Sequence, residues 1–350
     1  MVSQKGIILM AKVTIGRTEL HVEQNGFGAL PIQRISSAEA VHLLQKAYDG
    51  GICYYDTARA YTDSEEKLGK SFSDMRDKVI IASKTMATNT QDFWRDLDTS
   101  LRLLNTDYID VYQFHNPAFC PKPTDQSGLY EAMLQAKKQG KIRYIGLSNH
   151  RLDVAKEAVE SGLYDTLQFP FSYLCTEKEL ELVQLCKEKE IGFIAMKALS
   201  GGLLTNSAAA CAWLTRFDNI VPIWGIQRES ELDEFLSYIS APPELTDNMT
   251  ACIEADRREL QGNFCRGCGY CMPCPQGIII NMCARASLLL RRAPIEMLLS
   301  DGGKRMMKKV EDCIECGQCT ALCPYGLNTP LLLKQNYQDF QEFLSGKPLL

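Results

Sequence analysis

The chain has 350 residues, 45% of them hydrophobic and 23% charged, and a formal net charge of −5. The composition is globular, and the length exceeds what one hydrophobic core usually serves, so a large domain plus a smaller one is expected. The acidic balance gives no reason to expect a nucleic acid or an anionic membrane as partner. No run approaches the ~20 apolar residues of a membrane span, and the apolar patch from Gly6 to Ala11 is short for a secretory leader. A cytoplasmic protein is the expectation.

Lys12–Ile15, a Gly-containing turn and Leu20–Glu23 predict a β-hairpin that plugs one end of the larger domain. Asn25–Leu30 predicts a strand whose Gly26 and Gly28 let a backbone or ligand come close. Ser36–Glu39 carries an N-cap signal for a helix to Asp49, and Gly50-Gly51 stops it. Strand and helix then alternate. Strands are expected at 52–55, 78–83, 109–114, 142–147, 166–169, 191–196 and 220–224, and helices at 64–72, 91–104, 127–139, 151–161, 176–189, 207–216 and 229–239. Counting the first pair, eight strand–helix units span about 215 residues, the count and length of a (β/α)₈ TIM barrel. The alternative, an open doubly wound sheet, normally carries G-x-G-x-x-G after its first strand, and none stands here. Thr246 opens one more helix to about Gln261, and the composition changes at Cys265. The expected division is residues 1–262 as barrel with hairpin and 263–350 as a small, mainly α-helical domain with a C-terminal tail.

Four residues line up by position, three at strand ends and one in a loop. Asp56 closes GICYYD, Tyr61 follows in the loop, Lys84 closes IIASK and His115 closes YQFH. Strand ends of a barrel share one rim, where barrel enzymes carry their chemistry. A free phenol has a pKa of about 10, and a nearby ammonium favours its ionised form. Lys84 would therefore make Tyr61 a better acid, Asp56 would hold Lys84 charged, and His115 would orient a substrate oxygen. Taken singly, each has a bland reading: Asp56 as a helix cap, Tyr61 on the surface, Lys84 snorkelling and His115 in the core.

GICYYDTARAY, IIASK, YQFHNP and GLSNH resemble the aldo-keto reductases over about Lys12 to Tyr238. The resemblance implies an Asp56–Tyr61–Lys84–His115 tetrad and hydride transfer between NADP or NAD and an aldehyde, ketone or alcohol. It implies that Ser148, Asn149 and Gln168 contact the nicotinamide carboxamide; the bland reading of Ser148 and Asn149 is the cap of the next helix. Gly28, Met196, Lys197, Gly225, Gln227 and Arg228 complete the expected cofactor-binding set. Two positions depart from the family pattern. Met196 stands where an aromatic usually stacks on the nicotinamide. After the eighth strand Arg228 is the nearby cation able to grip a 2′-phosphate, with Glu231 and Glu234 following.

Eight of the fifteen cysteines form two runs. Cys313-x2-Cys316-x2-Cys319-x3-Cys323-Pro324 has the spacing of a bacterial ferredoxin. Cys265-x2-Cys268-x2-Cys271-x2-Cys274-Pro275 is one residue shorter in its last gap. A zinc knuckle is the alternative for this first run, and a second 4Fe–4S site is preferred. By the ferredoxin pattern each run gives its last cysteine to the other cluster. Cys265, Cys268, Cys271 and Cys323 would hold one, and Cys313, Cys316, Cys319 and Cys274 the other, with Cys283 as fallback. The helical stretch between the runs resembles the α-helical ferredoxins, and the whole arrangement resembles an aldo-keto reductase subgroup common among anaerobes. Because hydride carries two electrons and each cluster passes one, a flavin or redox partner (ferredoxin or flavoprotein) enters as a candidate. The alternatives are an electron-transfer oxidoreductase, in which the clusters exchange electrons with an external carrier, and a non-enzymatic scaffold.

Overall fold

The computed structural model describes residues 10–260, 264–292 and 295–347. Most of the Gly6–Ala11 patch, the expected boundary at 262/263 and the last three residues of the tail lie outside them.

A hairpin of β1 (Lys12–Thr14) and β2 (His21–Glu23) comes first. Eight parallel strands succeed it: β3 (Gly26–Gly28), β4 (Tyr54–Asp56), β5 (Ile80–Thr85), β6 (Ile109–His115), β7 (Ile142–Ser148), β8 (Thr166–Pro170), β9 (Gly192–Met196) and β10 (Ile220–Gly225). They pair in sequence order, and β10 returns to β3 to close the barrel. Closure leaves no free edge, so the interior must be filled by side chains. Val13, Ile15, Leu20 and Val22 of the hairpin pack against Tyr54, Ala82, Val111, Ile194, Val221 and Ile223 from the strands, so the hairpin seals the barrel as expected. The seal needs two glycines in contact. A Cβ on Gly16 would lie 2.2 Å from the backbone nitrogen of Gly192, and one on Gly192 would lie 2.2 Å from Ile15 Cγ2.

Two of the helices carry side-chain caps at their starts. Ser36 and Glu39 form a capping box at helix Ser37–Asp49, and Asn89 accepts from Asp92 N at helix Thr90–Leu104. Strands β5 to β8 and β10 run one or two residues past their expected C-terminal ends. Lys84 and His115 therefore lie within strands, where the ladder holds their backbones.

The chain divides into two compact units. One runs to Ala198 and resumes at Ala208–Asp247; the other joins Leu199–Ser207 to the chain from Asn248 onward. Helix Asp247–Glu259 belongs to the second because Arg292 ties it there, donating to Asp256 at 2.8 Å, to Glu259, and to the carbonyl of Leu203 at 3.0 Å. Among its described residues the second unit contains no strand. Its longest helix, Thr329–Leu344, is fixed to Ala286–Arg292 through Asn336 and Asp339, which both accept from Ser287 Oγ.

Candidate active site and cysteine cradles

Lys84 and Asp56 meet inside the barrel, 1% and 3% exposed. Lys84 Nζ donates to Asp56 Oδ1 at 2.6 Å and to the carbonyl of Thr57 at 2.7 Å. The second carboxylate oxygen accepts from Gln168 Nε2 at 3.2 Å, and Gln168 Oε1 in turn accepts from Gln113 Nε2 at 2.9 Å. Burial draws both members of the pair toward neutrality, Asp56 upward and Lys84 downward, and each opposes the other's shift. The hydrogen bonds around the pair favour the charged forms.

Tyr61 stands over this pair, its ring centroid 5.4 Å from Lys84 Nζ. Its ring meets that of His115 edge-on at 5.8 Å and 85°. The three strand-end residues and the loop residue Tyr61 are thus brought together in one place. Burial, then the charge of Lys84, hold the His115 imidazole down to about 3, so it is neutral near pH 7.

The register aligns the neighbouring positions. His115 on β6 sits beside Ser148 on β7, and Ser148 beside Gln168 on β8. On the other side Gly225, Gly28 and Asp56 sit side by side on β10, β3 and β4. Two adjacent strands therefore end without side chains next to the carboxylate. Met196 Sδ lies 3.8 Å from Gln168 Nε2, and Lys197 follows at φ +56°. Asn149 is engaged at both ends of its amide. Oδ1 accepts from the backbone of His150 and Arg151 at 2.8 Å each, and Nδ2 donates to the carbonyl of Pro117 at 2.9 Å. Touching a carboxamide would require it to exchange one of these bonds. Beyond β10, Glu231 Oε2 accepts from the backbone of Gln227 and Arg228, and its Oε1 lies 3.7 Å from the exposed Arg228 guanidinium.

Two site residues escaped sequence reasoning. Gln113 occupies the middle of an otherwise buried strand, and a Cβ on neighbouring Gly146 would lie 2.7 Å from its side chain. A lone amide in a buried run was the available signal. His150 is buried and feels the charges of Lys197 and His115; burial first, and then those neighbours, hold it well below its ordinary value. No pattern in GLSNH marks it.

In the second unit Cys274, Cys313, Cys316 and Cys319 line one concavity together with Cys271. These include the four cysteines that the ferredoxin pattern groups together. Burial pushes the Cys265 and Cys271 thiols up; Cys268 and Cys323 stand near Cys265, and Cys265, Cys268 and Cys319 near Cys271. Among the described residues no three His, Cys, Asp or Glu side chains converge closely enough for a single ion. A cubane instead holds each thiolate at a separate iron, so convergence on one ion is not what it needs. The fallback, Cys283, is fully buried with its Sγ 3.6 Å from the carbonyl of Met306, and it does not line the concavity.

The sequence model of the Aldo/keto reductase family matches residues 24–210. The chain belongs to the aldo/keto reductase family. A second model, described as a 4Fe-4S dicluster domain, matches residues 264–328, so this aldo-keto reductase barrel is followed by an iron–sulfur domain. Among relatives, the chain is 31% identical to "Uncharacterized oxidoreductase YqkF" of Bacillus subtilis, over 56% of this chain and 67% of that one. It is 29% identical to the L-galactose dehydrogenase of Arabidopsis thaliana, over 55% of this chain and 66% of that one. Among solved structures, the holo form of an aldo-keto reductase from Bacillus halodurans superposes with a TM-score of 0.62 at 23% identity, over 71% of this chain and 96% of that one. An aldo-keto reductase from Klebsiella pneumoniae in complex with NADPH gives 0.61 at 22% identity, over 71% and 95%. These two likenesses concern the fold. No described helix is long and apolar enough to cross a membrane.

Proposed function

We propose that this aldo-keto reductase transfers a hydride between a nicotinamide cofactor, NADPH or NADH, and a small aldehyde or ketone, or runs the reverse reaction on the alcohol. The observation that carries this reading is the buried Lys84–Asp56 ion pair beneath Tyr61, with neutral His115 against the same phenol. The side-chain-free ends of β10 and β3 and the row His115–Ser148–Gln168 suit a flat ring lying beside Asp56. The bound cofactor supplies the hydride. Ser148 and Gln168 hold its carboxamide, and Gly28, Met196, Lys197, Gly225, Gln227 and Arg228 lie along its path.

Tyr61 gives its phenolic proton to the carbonyl oxygen as that oxygen gains negative charge. Lys84 stabilises the phenolate left behind, and Asp56 keeps Lys84 charged in a dry interior where a lone ammonium would be costly. His115, being neutral, donates a hydrogen bond to the substrate oxygen without competing for the proton. In the second unit, Cys265, Cys268, Cys271 and Cys323 hold one 4Fe–4S cluster and Cys313, Cys316, Cys319 and Cys274 the other. We place the protein in the cytoplasm, with a small molecule as substrate and a ferredoxin or flavoprotein as redox partner.

A second reading, electron exchange between the clusters and an external carrier, is favoured by Met196. It holds Gln168 where family members have a stacking aromatic. One anaerobic experiment separates the two. NADPH and NADH are titrated into cluster-loaded protein while tryptophan fluorescence and the cluster absorbance are followed. Saturable binding with carbonyl reduction is expected. In Tyr61→Phe, kcat should fall by about 10²–10⁴-fold while cofactor Kd is unchanged. Absence of binding, or full reduction by Tyr61→Phe, would overturn the hydride mechanism.

A further inference from the structure

The two cysteine runs are surrounded differently. Beside the first stands Arg285, 7% exposed. Its Nη2 donates to the carbonyl of Gly201 at 2.7 Å, and its Nε has no hydrogen-bond partner among the described residues. Gly267, between Cys265 and Cys268, has φ +66°, and a Cβ there would lie 2.4 Å from Arg285 Nη1. The turn of the run thus lacks a side chain where the guanidinium lies. A buried cation with an unmade hydrogen bond is unfavourable unless a negative group faces it. Four thiolates around an iron–sulfur core are such a group.

Among the described residues the second run has no such cation. Glu315 is the one charged residue among those lining its concavity, and it pairs with the exposed Lys334 at 2.5 Å. Cys316 is exposed, and neighbouring Ile314 is 63% exposed. Cluster potentials are set by net charge, hydrogen bonds and solvent exposure. A buried cation stabilises the reduced, more negative state in a medium that screens it little.

We infer that Arg285 raises the reduction potential of the Cys265–Cys268–Cys271–Cys323 cluster above that of the open cluster at Cys274, Cys313, Cys316 and Cys319. One electron delivered to the open cluster by a one-electron carrier then passes to the guarded one. The open cluster loses one electron and the guarded cluster gains one, with no bond or proton exchanged. This inference rests on the two-cluster assignment proposed above.

The test uses anaerobic full-length protein. Iron and acid-labile sulfide are measured first, and the protein is then titrated with dithionite and followed by EPR. Two midpoints are expected. In Arg285→Gln the higher should fall by at least a tenfold change in its reduction equilibrium, about 59 mV per tenfold for one electron, while the lower stays. Arg285→Lys, which keeps the charge, should recover most of the shift. Full iron content in Arg285→Gln with both midpoints unchanged, or with both moved equally, overturns the inference. If Arg285→Gln loses one cluster, survival of the lower midpoint alone supports it and survival of the higher alone overturns it. Wild-type protein with iron for fewer than two clusters overturns the two-cluster assignment itself, and the inference with it.

Discussion

Lys84 is an ammonium with about a hundredth of its surface in water, and Asp56 and the Thr57 carbonyl replace that water. Replacing Lys84 by Met leaves Asp56 buried without its counter-ion, which should cost about 3–5 kcal/mol; urea unfolding of the variant checks this. His115 makes a pH prediction. Its native imidazole is held down to about 3, while an unfolded one protonates below about 6.5. The unfolded state therefore binds more protons in that window, and stability rises with pH. The contribution is complete above pH 6.5 and drains as pH falls toward 3. Urea midpoints measured from pH 7 down to 5 should fall less steeply in His115→Gln than in the wild type. The positions of Asp56, Lys84 and His115 were legible because each ends an apolar run, and that of Tyr61 because it follows Asp56 in the next loop. The bonds of Asn149 were not, since GLSN reads equally as a cofactor motif and as a helix entry.

At the scale of elements, the hairpin and the strands that it seals depend on close backbone approach. Gly16 has φ +55°, and its missing Cβ would fall among Glu190, Ile191 and Gly192. Gly16→Ala should destabilise the barrel by at least about 1–3 kcal/mol through crowding and left-handed strain, read as a lower urea midpoint at an unchanged denaturant slope. The hairpin's existence was legible from its alternation and turn. The pressure of Gly16 on Gly192 was not, because nothing in the sequence pairs residues so far apart. Strand β6 shows the same limit. Gln113 looks like an interruption in IDVYQF until the closed barrel turns it toward Gln168 and Asp56.

At the scale of the whole molecule, the two units draw on different sources of stability. The barrel buries a continuous apolar interior. The second unit packs helices around cysteine runs, and metal binding in such a domain is in part folding free energy. Anaerobic iron chelation should therefore lower the helical far-UV circular dichroism, and in calorimetry it should move one unfolding transition while leaving another in place. Movement of neither would show that the second unit holds its fold without iron. The change of composition at Cys265 announced this unit, but helix Asp247–Glu259 and the Leu199–Ser207 segment join it through Arg292, a long-range tie that a local reading does not reach.

The sequence by itself determined the eightfold strand–helix alternation, the placing of Asp56, Lys84 and His115 at strand ends with Tyr61 in the loop after the first, and the spacing of the cysteine runs. Each is written in periodicity or in intervals of a few residues, which local sterics and ligand geometry translate directly. Tertiary structure decided the rest: the Gln113–Gln168–Asp56 chain, the neutrality of His115, the occupied amide of Asn149 and the guanidinium of Arg285 at the first cysteine run. These depend on burial and on which distant groups meet in a medium of low dielectric, and only the closed barrel and the folded second unit bring those groups together.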